Sequence, residues 1–597
     1  MSDQQPPEPS DEPSGEPSNR PANEPSDESP AQPDVPASAP AEASPDDVED
    51  TAAEDAAALP DGTEPTAVLP AETSAAAIAE PTDGRRRTRR TAIITAVAVA
   101  VVAVLGGGAY AVYTAFFGGG PQPADVLPST TVAMMSVDLD PSAGQKIAAI
   151  RTIRRFPSLK KDLGLHTQDD LRRFIFDKVV QGGKCPGLTY DKDMKPWVGK
   201  RGAVAAVDLG GAKPVPAIAL QVTDRGKAKT DFAKIAACAT SGDGFGFAIG
   251  DHYLIASDTT AHAAKILAEG KKKPLADNAS YKKWTDQAGD RGVATFYISK
   301  KAVGYLADNL KSVAGNVPGL GSGSSADPFS TVQDQLKDFQ GIAGTIRFAG
   351  GGMEMSLAGG GLENYTGGSG VGSKIGALPK DTAIAAGIAV PKDYAKTLVA
   401  NLKASVSGKN VDLVTEIAKE TGLELPDDLQ TLLGSAITLS VGGDAPPDLK
   451  NLQSLADIPL GLTLHGDGGA IKDLIATAQE HLGATLADYQ IGVESSASEV
   501  VLSPSKAYAD ALLEKGTLGS SSKFTDVVPN ADRASAIIYV DFDSAWRSTL
   551  VNLIKDFGGT ASEVASADAN TAPLKSLGIS TWVQGSTSHF LLKVATD

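Results

Sequence analysis

Short apolar runs followed by amphipathic stretches recur along residues 127–597. The segment "VAMMSVDLDPSAGQKIAAIRTIRRF" starts as a strand-like run and continues with apolar positions at helical spacing. Asp140 is a suitable N-cap for this helix, and Pro141 suits its first turn. The segment "IIYVDFDSAWRSTLVNLIKDF" has the same order of features. The pattern predicts strand–helix units.

Other segments alternate between apolar and polar residues and meet at glycine turns. Two examples are "GTIRFAGGGMEMSLAG" and "STWVQGSTSHFLLKV". Such segments are typical of β-hairpins. Hairpins mixed with strand–helix units predict an α+β fold with a mainly antiparallel sheet and helices on one face.

Four segments of the chain recur in the same order about 250 residues later. The pairs are "LPSTT" and "LPKDT", "GLHTQDDL" and "GLELPDDL", "PAIALQVTDRG" and "PLGLTLHGDGG", and "SDTTAHAAKILAEG" and "SPSKAYADALLEKG". This internal repeat predicts two tandem copies of one sheet-plus-helices unit. The copies would span residues 127–360 and 378–597, with a Gly-rich linker at 361–377.

Residues 91–117 contain no charged side chain. A helix from Thr91 to Phe117 would be roughly 40 Å long, enough to cross a bilayer. Five arginines precede it, in a basic stripe at 85–90, and the positive-inside rule then predicts a signal-anchor with a cytoplasmic N-terminus. The alternative is a cleaved signal peptide, since Ala109-Tyr110-Ala111 resembles a cleavage site.

These features together predict a single-pass protein of the plasma membrane. The linker at 118–126 and everything after it would be extracytoplasmic. Membrane lipids would contact residues 85–117, and anionic lipids would contact the arginines in particular. The basic stripe consists of Arg85, Arg86, Arg87, Arg89 and Arg90.

The net charge of −19 belongs to the N-terminal tail. Residues 1–84 hold 16 Pro, 21 Asp and Glu, and no aromatic residue. Such a segment cannot bury enough apolar surface to fold, so we expect a disordered tail. It is either a passive spacer or a docking segment for a cytoplasmic protein or kinase. The rest of the chain is nearly neutral, which argues against a nucleic-acid partner.

The chain has two cysteines, Cys185 and Cys238. Both fall in the first copy, on the predicted outer side of the membrane. An oxidising compartment favours a disulfide between them. Two free, buried thiols are the alternative.

Asp138, Asp140 and His252 are candidate site residues, and Asp541 and Asp543 form a second pair of neighbouring carboxylates. Paired carboxylates can bind a metal or act as acid and base, but Asp140 is already explained as a helix cap. The six histidines include no pair at the i, i+4 spacing of a helical zinc site. We therefore expect no catalytic residues, no metal and no cofactor.

The segments "LPSTTVAMMSVDLDPSAGQK", "WVGKRGAVAAVDL" and "PVPAIALQVTD", with the duplicated helix, resemble a known family. It is the domain-of-unknown-function family of Ala- and Gly-rich single-pass envelope proteins, frequent in actinobacteria. The resemblance implies no activity. We expect a non-enzymatic, membrane-anchored envelope protein that binds a protein, lipid or glycan outside the membrane. The alternatives are an extracytoplasmic hydrolase without a recognisable motif and an envelope lipid carrier.

Overall fold

The computed structural model describes residues 121–138, 143–157, 173, 187–239, 246–305, 337–349, 351–361, 368–405, 412–444, 452, 454–556 and 558–597. The predicted disordered tail (1–84), basic stripe (85–90) and transmembrane helix (91–117) lie outside these residues. Within them, no helix is long and apolar enough to cross a membrane. The transmembrane helix in the predicted fold class therefore has no support from the structure.

The described chain contains both strands and helices throughout its length. The strands are β1 (Thr131–Asp138), β2 (Val198–Val207), β3 (Val215–Val222), β4 (Gly246–Ile249), β5 (Tyr253–Ser257), β6 (Ala294–Ser299), β7 (Gly341–Ala349), β8 (Gly352–Gly360), β9 (Ile384–Ala389), β10 (Ala436–Val441), β11 (Leu460–His465), β12 (Gly492–Ser496), β13 (Glu499–Ser503), β14 (Ala536–Asp541), β15 (Leu574–Gln584) and β16 (Thr587–Thr596). The helices are α1 (Ala143–Arg154), α2 (Tyr190–Asp193), α3 (Arg225–Ala239), α4 (Thr260–Lys272), α5 (Ala279–Ala288), α6 (Val371–Gly376), α7 (Tyr394–Ser405), α8 (Leu413–Thr421), α9 (Asp427–Leu433), α10 (Gly468–Leu482), α11 (Lys506–Leu513), α12 (Ser522–Val527), α13 (Trp546–Asp556) and α14 (Ala561–Thr571).

Side-chain caps fix where several of these helices begin. The Asn278 side chain accepts hydrogen bonds from the backbone at the start of α5, and Asp467 does the same for α10. At α14, Thr560 and Glu563 form a reciprocal capping box. Each cap satisfies N–H groups that the first turn of a helix leaves without a partner.

All sixteen strands belong to one antiparallel sheet. Their order is β12-β13-β11-β10-β9-β14-β15-β16-β8-β7-β6-β1-β2-β3-β5-β4. β8 pairs with β16 from Met353 to Gly359, which joins the first eight strands to the last eight. We call this β8–β16 ladder the seam. The predicted fold class is therefore wrong in making two separate tandem units, because hydrogen bonds run across the whole sheet.

The two halves of this sheet have the same strand order. Counted outward from the seam, the first half runs 8-7-6-1-2-3-5-4, and the second half repeats that sequence with each number raised by eight. Matching local contacts accompany it: Thr131 Oγ1 donates to the Pro128 carbonyl at 2.7 Å, and Thr382 Oγ1 donates to the Pro379 carbonyl at 2.7 Å. The similar segments "LPSTT" and "LPKDT" thus occupy equivalent places in the two halves.

Helices cover both faces of the sheet, not one face as the sequence predicted. On β5, Tyr253 and Ile255 pack in a cluster with residues of α4 and α5, while Leu254 and Ala256 pack with residues of α3. Successive residues of a strand point to opposite faces, so these two sets of helices lie on opposite sides. In the second half, α6, α11 and α12 contribute to the main buried cluster.

The predicted Gly-rich linker at 361–377 contains helix α6. Val371 and Ile375 of this helix are fully buried in the second-half cluster. Helix α6 of the predicted linker therefore belongs to the hydrophobic core of the second half.

Candidate ligand-binding site

Asp138 ends β1 and has structural partners. Its Oδ2 accepts hydrogen bonds from Arg201 Nε at 2.9 Å and from Gln122 Nε2 at 3.0 Å. Arg201 lies directly opposite on β2. The ion pair is largely buried and ties the segment before β1 to the sheet. Asp140, its proposed partner, lies outside the described residues.

His252 lies in the turn between β4 and β5, and its side chain is exposed. Its carbonyl accepts a hydrogen bond from the Val222 backbone at 2.8 Å, which secures the end of β3. His252 and Asp138 are on different elements with different partners. The described residues also include no group of three or more His, Cys, Asp or Glu side chains that could hold a metal ion.

Cys238, near the end of α3, is disulfide-bonded. The chain has one other cysteine, Cys185, which lies outside the described residues. The pairing of Cys185 with Cys238 stays a prediction. The arginines of the basic stripe and the predicted helix ends, Thr91 and Phe117, also fall outside the described residues.

A half-buried cation, Lys523, lies between two carboxylates at the end of β14. Lys523 Nζ is 3.0 Å from Asp541 Oδ1 and 3.0 Å from Asp543 Oδ2. Burial acts to lower the pKa of Lys523, but hydrogen bonds to Asp543 and Asp541 outweigh burial and raise this pKa. A lysine held as the ammonium cannot serve as a base, so this cluster is structural.

An apolar row crosses twelve neighbouring strands on one face of the sheet. Residues directly opposite each other in adjacent strands share a face. We define the apolar row by its members, which are Val137, Ala294, Ile346, Met355, Leu592, Ile579, Ile538, Ala386, Leu439, Leu462, Leu502 and Val493. At about 4.8 Å per strand, the row extends about 50 Å.

The two halves of the apolar row differ in how they are covered. In the first half, Ile346 and Met355 are buried beneath Ala149 of α1. In the second half, Ile538 and Leu439 are each 43% exposed. Ile388, two residues from Ala386 on the same face of β9, is 46% exposed. Such neighbouring exposed apolar side chains commonly mark a binding surface.

Helical residues make hydrogen bonds near both ends of the exposed strands. At one end, Trp546 begins α13 and donates from Nε1 to the Gly442 carbonyl just after β10, at 2.8 Å. At the other end, the Gln430 side chain of α9 accepts a hydrogen bond from the Ala395 backbone of α7 at 3.1 Å. Ile538, Ala386 and Leu439 lie between these two helical groups and form an open apolar surface.

Sequence reasoning did not find the apolar row. Each member is an ordinary strand residue, and the row exists only because of strand order and register. The available signal was the near-continuous apolar character of segments such as "AIAAGIAV" and "ASAIIYV", which exceeds what a half-buried strand needs.

Comparison with known protein families places the chain in a family without an assigned activity. The family model described as "Protein of unknown function (DUF3352)" matches residues 94–439, more than half of the chain. The chain belongs to this family. No curated protein and no solved structure matches it. The expected membership in a family of unknown function is confirmed, whereas the actinobacterial and Ala/Gly-rich single-pass character stays a prediction.

Proposed function

We propose that this chain is a non-enzymatic binding protein of the cell envelope, and that its sheet holds the acyl chain of a lipid. The observation that carries this proposal is the exposed part of the apolar row around Leu439 and Ile538. Burying such side chains contributes about 25 cal/mol for each Å² removed from water. A ligand with a hydrocarbon surface gains that free energy without requiring any catalytic group.

A linear hydrocarbon fits this surface better than a glycan does. The exposed side chains Ile538 and Leu439 lie two strands apart, or about 10 Å, and the row continues through half-buried apolar residues to Val493, about 24 Å from Ile538. Every member of that stretch is apolar, whereas recognition of a glycan requires several convergent hydrogen-bonding groups. Acyl-chain binding therefore accounts for both the length and the chemistry of the row.

Displacement of a fluorescent fatty acid from the full chain tests this proposal. We expect the double substitution Leu439→Asp and Ile538→Asp to weaken binding at least about tenfold, because charged groups on the row would have to be desolvated. Both side chains are already partly exposed, so circular dichroism and melting temperature are expected to change little.

The matched control is Leu482→Asp, at the end of α10, where the side chain is 57% exposed. It adds a carboxylate to an exposed leucine outside the row and is expected to leave binding unchanged. Equal affinities of the double variant, the control and the unaltered protein would exclude the row as the lipid site.

We also propose that the folded part acts outside the cytoplasm. The disulfide at Cys238 supports this location, since such bonds persist mainly in oxidising compartments. Protease added to wall-stripped cells is expected to degrade residues 121–597, and protection of that region would contradict the proposal. A cytoplasmic protein or kinase on residues 1–84 stays a prediction.

A further inference from the structure

Three arginines line one cavity beside the seam. Arg151 and Arg154 belong to the last turn of α1, and Arg155 follows directly. Together with Ile147 they line a cavity of about 460 Å³. Ile147, Arg151 and Arg154 are spaced i, i+4 and i+7, so they share one face of the helix.

The fold anchors this cluster to the sheet through Arg155. The Arg155 Nη1 group donates to the Gly351 carbonyl, in the turn between β7 and β8, at 3.2 Å. It also donates to the Thr596 hydroxyl at the end of β16. The cavity therefore lies where β8 begins and β16 ends, on elements that the seam holds together.

The positive charge of this cluster is not neutralised by the described part of the chain. No carboxylate of the described residues forms an ion pair with Arg151, Arg154 or Arg155. Arginines near a helix C-terminus interact favourably with the helix dipole. That interaction explains their place on α1, but not their convergence on a single cavity.

We propose that Arg151, Arg154 and Arg155 bind a phosphate group, carried by a phospholipid or free in solution. Guanidinium groups bind phosphate oxygens in a forked, charge-assisted geometry, and three of them suit a doubly charged phosphate monoester. The site stands on the arginines alone, but that a lipid carries the phosphate rests on the proposed function. Met355 of the apolar row is four residues along β8 from Gly351, a distance of about 13 Å.

Calorimetry on the full chain with three soluble probes tests the site. The probes are a short-chain phosphatidic acid, the matching diacylglycerol without phosphate, and inorganic phosphate. We expect phosphatidic acid to bind more tightly than diacylglycerol. The double variant Arg151→Gln and Arg154→Gln is expected to bind phosphatidic acid at least about tenfold more weakly and diacylglycerol equally well.

The matched control removes two positive charges elsewhere. Arg225→Gln with Lys227→Gln on α3 changes two exposed side chains, each near an aspartate. This control is expected to bind all three probes like the unaltered protein. If the arginine variant keeps full affinity for phosphatidic acid and inorganic phosphate, the proposed site is wrong.

The remaining outcomes separate this site from the proposed function. Inorganic phosphate binding as tightly as phosphatidic acid, and lost in the arginine variant, supports the site with free phosphate as its ligand. Failure of diacylglycerol to bind, with phosphate binding still dependent on the arginines, supports the site and contradicts the acyl-chain proposal.

Discussion

His589 is a buried histidine whose environment disfavours its charged form. Its ring stacks on Trp582 with centroids 4.9 Å apart, and Arg533 lies over the Trp582 ring. The His589 Nε2 and Trp582 Nε1 atoms have no hydrogen-bond partner among the described residues. Burial, and then the positive charge of Arg533, lower the pKa of His589 below its usual 6.5.

This lowered pKa predicts a loss of stability in acid. Below about pH 6.5 the unfolded chain takes up the proton before the folded chain does, so the free energy of unfolding falls as the pH falls through the folded pKa. His589→Phe keeps an aromatic ring stacked on Trp582 but removes the imidazole that takes up the proton. We expect urea titrations to show a smaller loss of stability between pH 7 and 5 for the variant.

The control for this titration is His252→Phe, which replaces an exposed ring in a turn. Its pH dependence is expected to match that of the unaltered protein. An identical acid sensitivity of all three proteins would show that His589 is not the titrating group.

At the scale of elements, the sequence predicted where strands and helices lie better than it predicted which strands pair with each other. β7 and β8 overlap the predicted hairpin segment "GTIRFAGGGMEMSLAG", and β15 and β16 overlap "STWVQGSTSHFLLKV". β1 and the helix that follows it, α1, occur in the predicted strand–helix order. Local periodicity and glycine turns suffice for such elements, because these signals depend on a few adjacent residues.

The seam could not be predicted in the same way. β8 and β16 are separated by more than 220 residues, and nothing in either strand specifies the other as its partner. The apolar row depends on that pairing, since Met355 and Leu592 meet across it. A sequence repeat is compatible with two separate sheets or with one continuous sheet. Only the pairing of β8 with β16 distinguishes these two arrangements.

The candidate site shows the same limit at the level of residues. Asp138 and His252 were predicted as site residues because their side chains are of reactive types. The ion pair of Asp138 and the backbone contact of His252 cannot be read from the sequence. Leu439 and Ile538 attracted no notice, because a leucine or isoleucine in a strand is normally core. Their exposure depends on where the helices lie over the sheet, which the sequence of a single strand does not show.

At the scale of the whole molecule, the seam makes both halves of the sheet dependent on one pair of strands. Gly352 begins β8, one residue before its pairing with β16 starts at Met353. A Cβ atom added at Gly352 would lie 1.8 Å from the Val594 carbonyl oxygen, a distance that no real Cβ tolerates. Any side chain there must push β8 and β16 apart, so the substitution Gly352→Ala acts on the seam itself.

We expect Gly352→Ala to destabilise the two halves together, by about 1–3 kcal/mol, as overpacking of a buried site does. Hydrogen exchange in increasing urea, followed on β2 and β3 and on β10 and β11, measures the halves separately. Both halves are expected to lose protection at the same, lowered urea concentration, because the sheet shares one set of hydrogen bonds. Gly304→Ala is the control, since a Cβ atom there meets no atom within 4 Å. Loss of protection in one half alone would mean that the halves fold independently and that the seam is a contact between two finished units.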